Sequence, residues 1–367
     1  VSRAVPVTRR NLTAEPRRLA ASAAGIGLAV MLVLLLDGLW AGVQTQATMY
    51  EDHTGAALAV VAPGTRNLFS DNSLLDPATL AQVRAVPGVT WAAPVRVGFG
   101  IVDLHDRKVA VQLVGSVPGQ GGGPWRLVEG RSVRADDEVV VDTVLARRHQ
   151  LPVGSAFSIG GRRFTVVGRS VGTGFMTSFV WTTLPAAAAL TNAPDRISAV
   201  LVATADPAGV RNRLITGAGL TIRTRQELRA ADLDQAVSFF GKPLRLMVGV
   251  AFAAGTLVVA LCAYAAVVER RRDYGVVKAL GATRGRLVGL ALAQTGGLAA
   301  LGAAAGAVWF AAGRVAIGWW RPQFSIPLTT AGVARAAVAV AMMALLAGVI
   351  PARRLARLDP AAAYRGA

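Results

Sequence analysis

One cysteine, Cys262, and three histidines are all the thiol and imidazole groups in this 367-residue sequence. A single thiol excludes any intrachain disulfide and any cysteine-based zinc site. His53, His105 and His149 are scattered, with no HExxH or comparable ligand spacing. Charged residues make up only 16%, and acids number 21 against 39 bases. A nucleotide loop is missing as well. Gly241-Lys242-Pro243 lacks the upstream glycine and the hydroxyl residue of a Walker A loop. Gly119-Gln120-Gly121-Gly122-Gly123-Pro124 has no following lysine and reads as a flexible loop. No GxSxG elbow occurs. Asp136-Asp137-Glu138 is acidic but precedes a β-rich run and reads as a solvated turn. These absences leave no basis for covalent or acid–base catalysis, so energy for any work has to come from a partner.

Apolar residues are abundant, at 53% with a mean hydropathy of +0.47. They gather in four segments, 19–43, 244–268, 287–313 and 333–350, each long enough as a helix to cross a bilayer. Positive charge borders them unevenly. Arg3, Arg9, Arg10, Arg17 and Arg18 lie in residues 1–18, and Arg353, Arg354, Arg357 and Arg365 lie in 351–367. Residues 269–286 add Arg270, Arg271, Arg272, Lys278, Arg284 and Arg286, whereas the opposite flanks hold only Lys242, Arg245, Arg314, Arg321 and Arg335. The bias places both termini and the 269–286 loop in the cytoplasm, with residues 44–243 and 314–332 outside. Of the net charge of +18, residues 44–243 contribute +4, from 20 bases and 16 acids. The rest is positive-inside charge, which excludes a nucleic-acid partner. Thr8-Arg9-Arg10-Asn11-Leu12 has a twin-arginine look, but the apolar core after it is too long for a cleaved signal and reads as an anchor. Asp37 near its end is either an intramembrane acid or the wet end of a helix leading outward.

Residues 44–243 have the pattern of a water-soluble α+β domain. Short β-rich runs cover 57–62, 95–103, 109–115, 138–142, 164–169, 179–182 and 199–203, and helices are expected over 76–86, 143–149 and 207–214. Residues 226–243 form a stalk helix feeding the second membrane segment. In the third segment, Gly302 and Gly306 make a GxxxG pattern, which lets helices approach closely within or between chains. Trp309, Trp319 and Trp320 mark an outer interface, with Arg335 snorkelling at the start of the fourth segment.

Within the loop, Asp273–Leu280 reads as a short helix, with Tyr274, Val277 and Leu280 on one face and Gly281 able to end it. Such a helix can either fill a partner's groove or lie on lipid headgroups. The run Arg272-Asp273-Tyr274-Gly275-Val276-Val277-Lys278-Ala279-Leu280-Gly281-Ala282-Thr283 closely resembles the cytoplasmic loop of FtsX/MacB-like ABC-transporter permeases. In that family the loop carries a coupling helix that docks on the ATPase. The resemblance implies that Arg272, Asp273, Tyr274, Val277, Lys278, Leu280 and Gly281 meet an ABC-type ATPase subunit. Asp273 stands where the family usually has Glu, keeping the charge with a shorter reach.

Two further stretches carry the resemblance. Glu138-Val139-Val140-Val141-Asp142, Leu151-Pro152-Val153-Gly154 and Phe164-Thr165-Val166-Val167-Gly168 follow the order of the MacB-like periplasmic core domain. Pro351-Ala352-Arg353-Arg354-Leu355-Ala356-Arg357-Leu358-Asp359-Pro360 resembles the family's C-terminal signature. Val171-Gly172-Thr173-Gly174-Phe175 and Ala24-Gly25-Ile26-Gly27 are similar to the DevC-type subgroup. The implied fold is an α-helical membrane protein with four transmembrane helices and an α+β exterior domain of the MacB core-domain type.

The implied function is that of the permease subunit of a MacB/FtsX-like ABC transporter in the cytoplasmic membrane, driving export or extraction of a substrate. It is non-catalytic and holds no cofactor, Mg-ATP being bound by the partner ATPase. A second permease chain, identical or related, is expected, and a periplasmic adaptor or extracellular protein is a further partner. The alternative is an FtsX-like regulator that relays the ATPase's conformational change to a cell-wall hydrolase. The size of the exterior domain favours the transporter. A membrane receptor with no ATPase is the third reading.

Overall fold

The computed structural model describes residues 16–104, 107–174, 177–218, 220–269 and 283–356. They form two compact units, one comprising Gly42–Phe239 with Arg321–Ser325, the other the remaining helices. The proposed coupling-helix residues Arg272, Asp273, Tyr274, Val277, Lys278, Leu280 and Gly281 lie outside the described residues.

The chain enters the first unit through the end of α1 (Pro16–Ala47) and a short helix α2 (Met49–His53), and leaves by helix α7 (Arg225–Ala236). Between them run β1 (Leu58–Val61), α3 (Ala78–Arg84), β2 (Trp91–Leu104), β3 (Arg107–Ser116), β4 (Leu127–Gly130), β5 (Glu138–Asp142) and α4 (Thr143–Arg148). Then follow β6 (Ala156–Ile159), β7 (Arg162–Ser170), β8 (Ser178–Thr183), α5 (Leu184–Leu190), β9 (Ala199–Ala203), α6 (Pro207–Ala218) and β10 (Thr221–Thr224). The strands lie in the order β10-β1-β9-β2-β3-β8-β5-β7-β4. Strand β6 pairs with both β7 and the far end of β2, so β2, β3, β8, β5, β7 and β6 close into a ring.

The ring follows from period-2 patterning on strands that are buried on both faces. Val102, Val111, Leu113, Val180, Val139, Val141, Val166, Phe164, Phe157 and Ile159 fill its interior. On the other face, Val97, Val114, Trp181 and Val140 stand side by side in register across four strands. A third cluster covers β1 and β9 with α3 and α6, through Val83, Val210 and Leu214. The helix starts are capped by side chains: Asp142 caps α4, Thr183 caps α5, and Thr224 with Glu227 forms a capping box on α7. The acidic turn is tied into the fold. Thr183 donates to Asp136, and Arg131 pairs with Glu138 and holds its carboxyl down at about 2.

The second unit packs α1 with α8 (Lys242–Glu269), α9 (Arg284–Trp320) and α10 (Thr330–Ala356) around Ile26, Val30, Val259, Phe310 and Met343. A π-helical turn, Val237–Gly241, joins α7 to α8. Among the described residues, three helices are long and apolar enough to cross a membrane: Ala23–Ala47, Arg225–Leu261 and Thr295–Trp320. The expected fourth segment gives the apolar stretch Thr330–Leu346 within α10, which runs on to Ala356. Helix α9 continues seven residues past the expected end at Gly313, because nothing breaks it before Arg321-Pro322. The short link after it belongs with the α/β unit: Gln46 Nε2 donates to the Gln323 carbonyl at 2.9 Å.

Candidate transmission site

Helices α2 and α7 are the two segments by which the α/β unit continues into apolar helices, and side chains join them directly. The capping box sets where α7 begins, with Glu227 also paired to Arg211 at 2.9 Å. Arg225 anchors this start by donating from Nε to the Ala56 carbonyl at 2.7 Å. One turn on, Arg229 pairs with Asp52 of α2 at 3.2 Å, and Thr48 donates to the other Asp52 oxygen at 2.8 Å.

Beneath that surface pair lie Glu51 and Asp232, only 3% and 8% exposed, with their carboxyls hydrogen-bonded to each other. Asn67 donates from Nδ2 to Asp232 and to Gln235 Oε1, while its Oδ1 accepts the Phe69 and Ser70 amides. The amide of Asn67 is thereby fixed, with its donor side aimed at α7. Burial pushes both carboxyls above the ordinary carboxylate range; Glu51 raises Asp232 further as a neighbouring acid, whereas the hydrogen bond from Asp232 holds Glu51 down and Asp52 pushes it up. Asp232 precedes the apolar part of its helix, since Arg225, Glu227, Arg229, Asp232 and Asp234 crowd the first ten residues.

On its other side α2 sits on aromatic rings. Tyr50 meets Phe69 edge-on with centroids 5.4 Å apart, and His53 stacks on Trp125 at 4.8 Å. Trp125 in turn meets Trp181 at 5.5 Å. The Tyr50 hydroxyl donates to the Gly122 carbonyl at 3.0 Å. The glycine run expected to be flexible is instead packed here. Gly122 has φ +88°, and a Cβ on it would lie 2.4 Å from Val95 and 3.3 Å from the Tyr50 oxygen.

Among the apolar helices, Gly302 and Gly306 face α1. A Cβ on Gly302 would meet Ile26 at 2.4 Å, and one on Gly306 would meet the Gly27 carbonyl at 2.6 Å. Gly306→Leu is therefore expected to force α9 from α1 at a cost of about 1–3 kcal/mol. A lower thermal midpoint of the full chain in detergent, with no change for Ala304→Leu on the exposed face, checks this. Asp37 pairs with Arg335 of α10, its Oδ1 accepting from Nε at 2.7 Å and Nη2 at 2.6 Å. The sequence reading treated these two separately; nothing local announces a pair 298 residues apart. The same holds for Glu51 and Asp232. The capping box, Thr224-x-x-Glu227, was legible as a local motif. No group of three or more His, Cys, Asp or Glu side chains able to hold a metal occurs among the described residues.

A mixed α/β domain inserted into a chain of long apolar helices, with its two connections bonded together, has the make-up of a membrane protein. The profile of the MacB-like periplasmic core domain matches residues 19–215, more than half of the chain, and that of the FtsX-like permease C-terminal region matches 245–360. The chain belongs to the MacB/FtsX family of ABC transporter permeases. Among its relatives are two uncharacterised ABC transporter permeases of Mycobacterium tuberculosis (strain ATCC 25618 / H37Rv), Rv2563 and Rv0072. Each is 28% identical, over 97% of this chain and 98% of the relative. Similar solved structures include the extracellular domain of the noncanonic ABC-type transporter YknZ from Gram-positive bacteria, at 15% identity. It covers 46% of this chain and 98% of that one with a TM-score of 0.36. The periplasmic region of MacB from Actinobacillus actinomycetemcomitans is 14% identical over 48% of this chain and 93% of its own, with a TM-score of 0.37.

Proposed function

We propose that this chain is the membrane subunit through which a separate ABC ATPase moves an exterior α/β domain, driving export or extraction of a substrate. The observation that carries this reading is the succession of the two family regions in one chain, 19–215 and 245–360. The residues between those regions form β10 and α7, the return path to the apolar helices. In this reading four helices cross the cytoplasmic membrane, both termini are cytoplasmic, and the 269–286 loop docks on the ATPase. The ATPase binds Mg-ATP, and this chain is non-catalytic. A second permease chain completes the pathway, with a periplasmic adaptor or extracellular protein as a further partner. Closure of the ATPases shifts the exterior domain only by their differential affinity for its two arrangements. The bonded stalks α2 and α7 give that shift a short path.

The purified chain alone is expected to hydrolyse ATP no faster than background, and to do so with Mg²⁺ only when its cognate ATPase is added. Robust Mg²⁺-dependent turnover by the isolated chain overturns the reading.

A further inference from the structure

The two buried carboxyls between the stalks are not explained by packing. Asp232 and Glu51 come from segments 181 residues apart, and Asp and Glu are almost never fully buried unless paired. Here each meets another acid, with only the neutral Asn67 donating to Asp232, and two carboxylates in contact repel strongly in a poorly solvated site. One proton between them removes the clash and makes a hydrogen bond. Glu51 Oε1 has no hydrogen-bond partner among the described residues. That is tolerable for the carbonyl oxygen of a protonated acid and costly for a carboxylate. The space beside Glu51 is a cavity of only about 10 Å³, walled by Leu58, Leu68, Leu201 and Leu228 and the Arg225 side chain. It holds at most about one water.

We propose that Glu51 and Asp232 form a proton-binding site: one proton shared by their carboxyls bonds α2 to α7, and its release to solvent loosens the two stalks from each other. The surrounding charges leave that requirement in place. Asp52 on α2 adds negative charge, and Arg229 on α7 opposes it but is engaged at the surface by Asp52. Arg225 is held by the Ala56 carbonyl. From the loop after β1, Asn67 donates to Asp232, and Asp71 is occupied by the Arg66 and Asn67 amides. Tyr50 is held neutral by burial and by the neighbouring acid. Gln235 and Asn67 contribute no charge.

The sign follows from burial raising both acids. The bond between the stalks is fully present below the ordinary carboxylate range, at about pH 4, and is lost as pH rises through and above neutral. Over that window the equilibrium for opening α2 from α7 should grow by up to about tenfold per pH unit for each proton retained. Nothing in this depends on the identity of the ATPase.

The test uses the full chain in lipid nanodiscs. Hydrogen exchange of the α2 and α7 amides, corrected for its intrinsic pH dependence, should show protection falling steeply with pH in the wild type. Infrared difference spectra across the same pH range should show a protonated-carboxyl band that disappears. Asp232→Asn supplies an amide whose oxygen can keep the Asn67 bond while its NH₂ group replaces the shared proton. In that variant the part of the band due to this pair should be lost, leaving that of the buried Asp142, and protection should be flat with pH. Glu51→Gln should behave alike, which guards against one variant failing to fold. Flat wild-type protection, or a band of wild-type intensity in both variants, overturns the proposal.

Discussion

Trp181→Ala is expected to destabilise the α/β domain by about 3–5 kcal/mol, the usual range for emptying a buried aromatic site. Trp181 is 0% exposed and stands in the middle of a row that runs Val97, Val114, Trp181, Val140 across four strands. Its ring meets Phe179 at 5.4 Å and Trp125 at 5.5 Å, and through Trp125 it supports His53 of α2. Truncation leaves a hole bounded by strands that cannot collapse inward, because the opposite face of β8 is filled by the interior of the ring. Hence the upper part of the range applies. The indole N–H has no hydrogen-bond partner among the described residues, so Trp181→Phe removes a buried unpaired donor while keeping most of the ring. That variant should lie within about 1.5 kcal/mol of wild type. Pulse proteolysis of the full chain in detergent, reading cleavage within the α/β domain, distinguishes the two. Equal losses for both variants would mean that the ring of strands tolerates the cavity.

How much of this was legible beforehand depended on whether the signal was local. Glu138–Asp142 and Ala199–Ala203 are runs of β-branched and small apolar residues, and both strands occur where the sequence placed them. Strand β4 was missed because its side chains are largely exposed and carry no alternation. Strand β6 was missed because its four residues acquire meaning only from β2 and β7 on either side. Helix α5 is built of alanines without an apolar period, though Thr183 followed by Pro185 was a readable start. The helix-contact glycines were visible as a pattern, but the facing helix was not. The Glu51–Asp232 and Asp37–Arg335 pairs left no trace, since an isolated acid on a helix ordinarily faces solvent. Long-range pairing of polar groups is decided by topology, and topology is what local patterning omits.

Leu280→Asp is expected to separate the permease from its ATPase. The loop sequence and its resemblance to the family's coupling loop point to this contact. Tyr274, Val277 and Leu280 recur at helical spacing between charged neighbours, so a helix there presents one apolar edge. Burying a leucine in a partner's groove contributes roughly 1.5–3 kcal/mol. The aspartate forfeits that contribution and sets an unpaired carboxylate in an apolar groove, an added penalty. A combined loss of about 2–4 kcal/mol lowers affinity some 30- to 800-fold, at about 1.4 kcal/mol per decade. In a pull-down of the tagged permease the ATPase should fall away, while size-exclusion in detergent shows the permease still folded. Lys278→Ala, on the polar side of the same helix, should cost under about 1 kcal/mol and retain the partner, because exposed charges contribute little. The contrast between the two variants carries the test. A headgroup-bound helix would lose lipid affinity in the first variant without losing the ATPase, and retention of the partner at wild-type levels would assign the helix to the membrane surface.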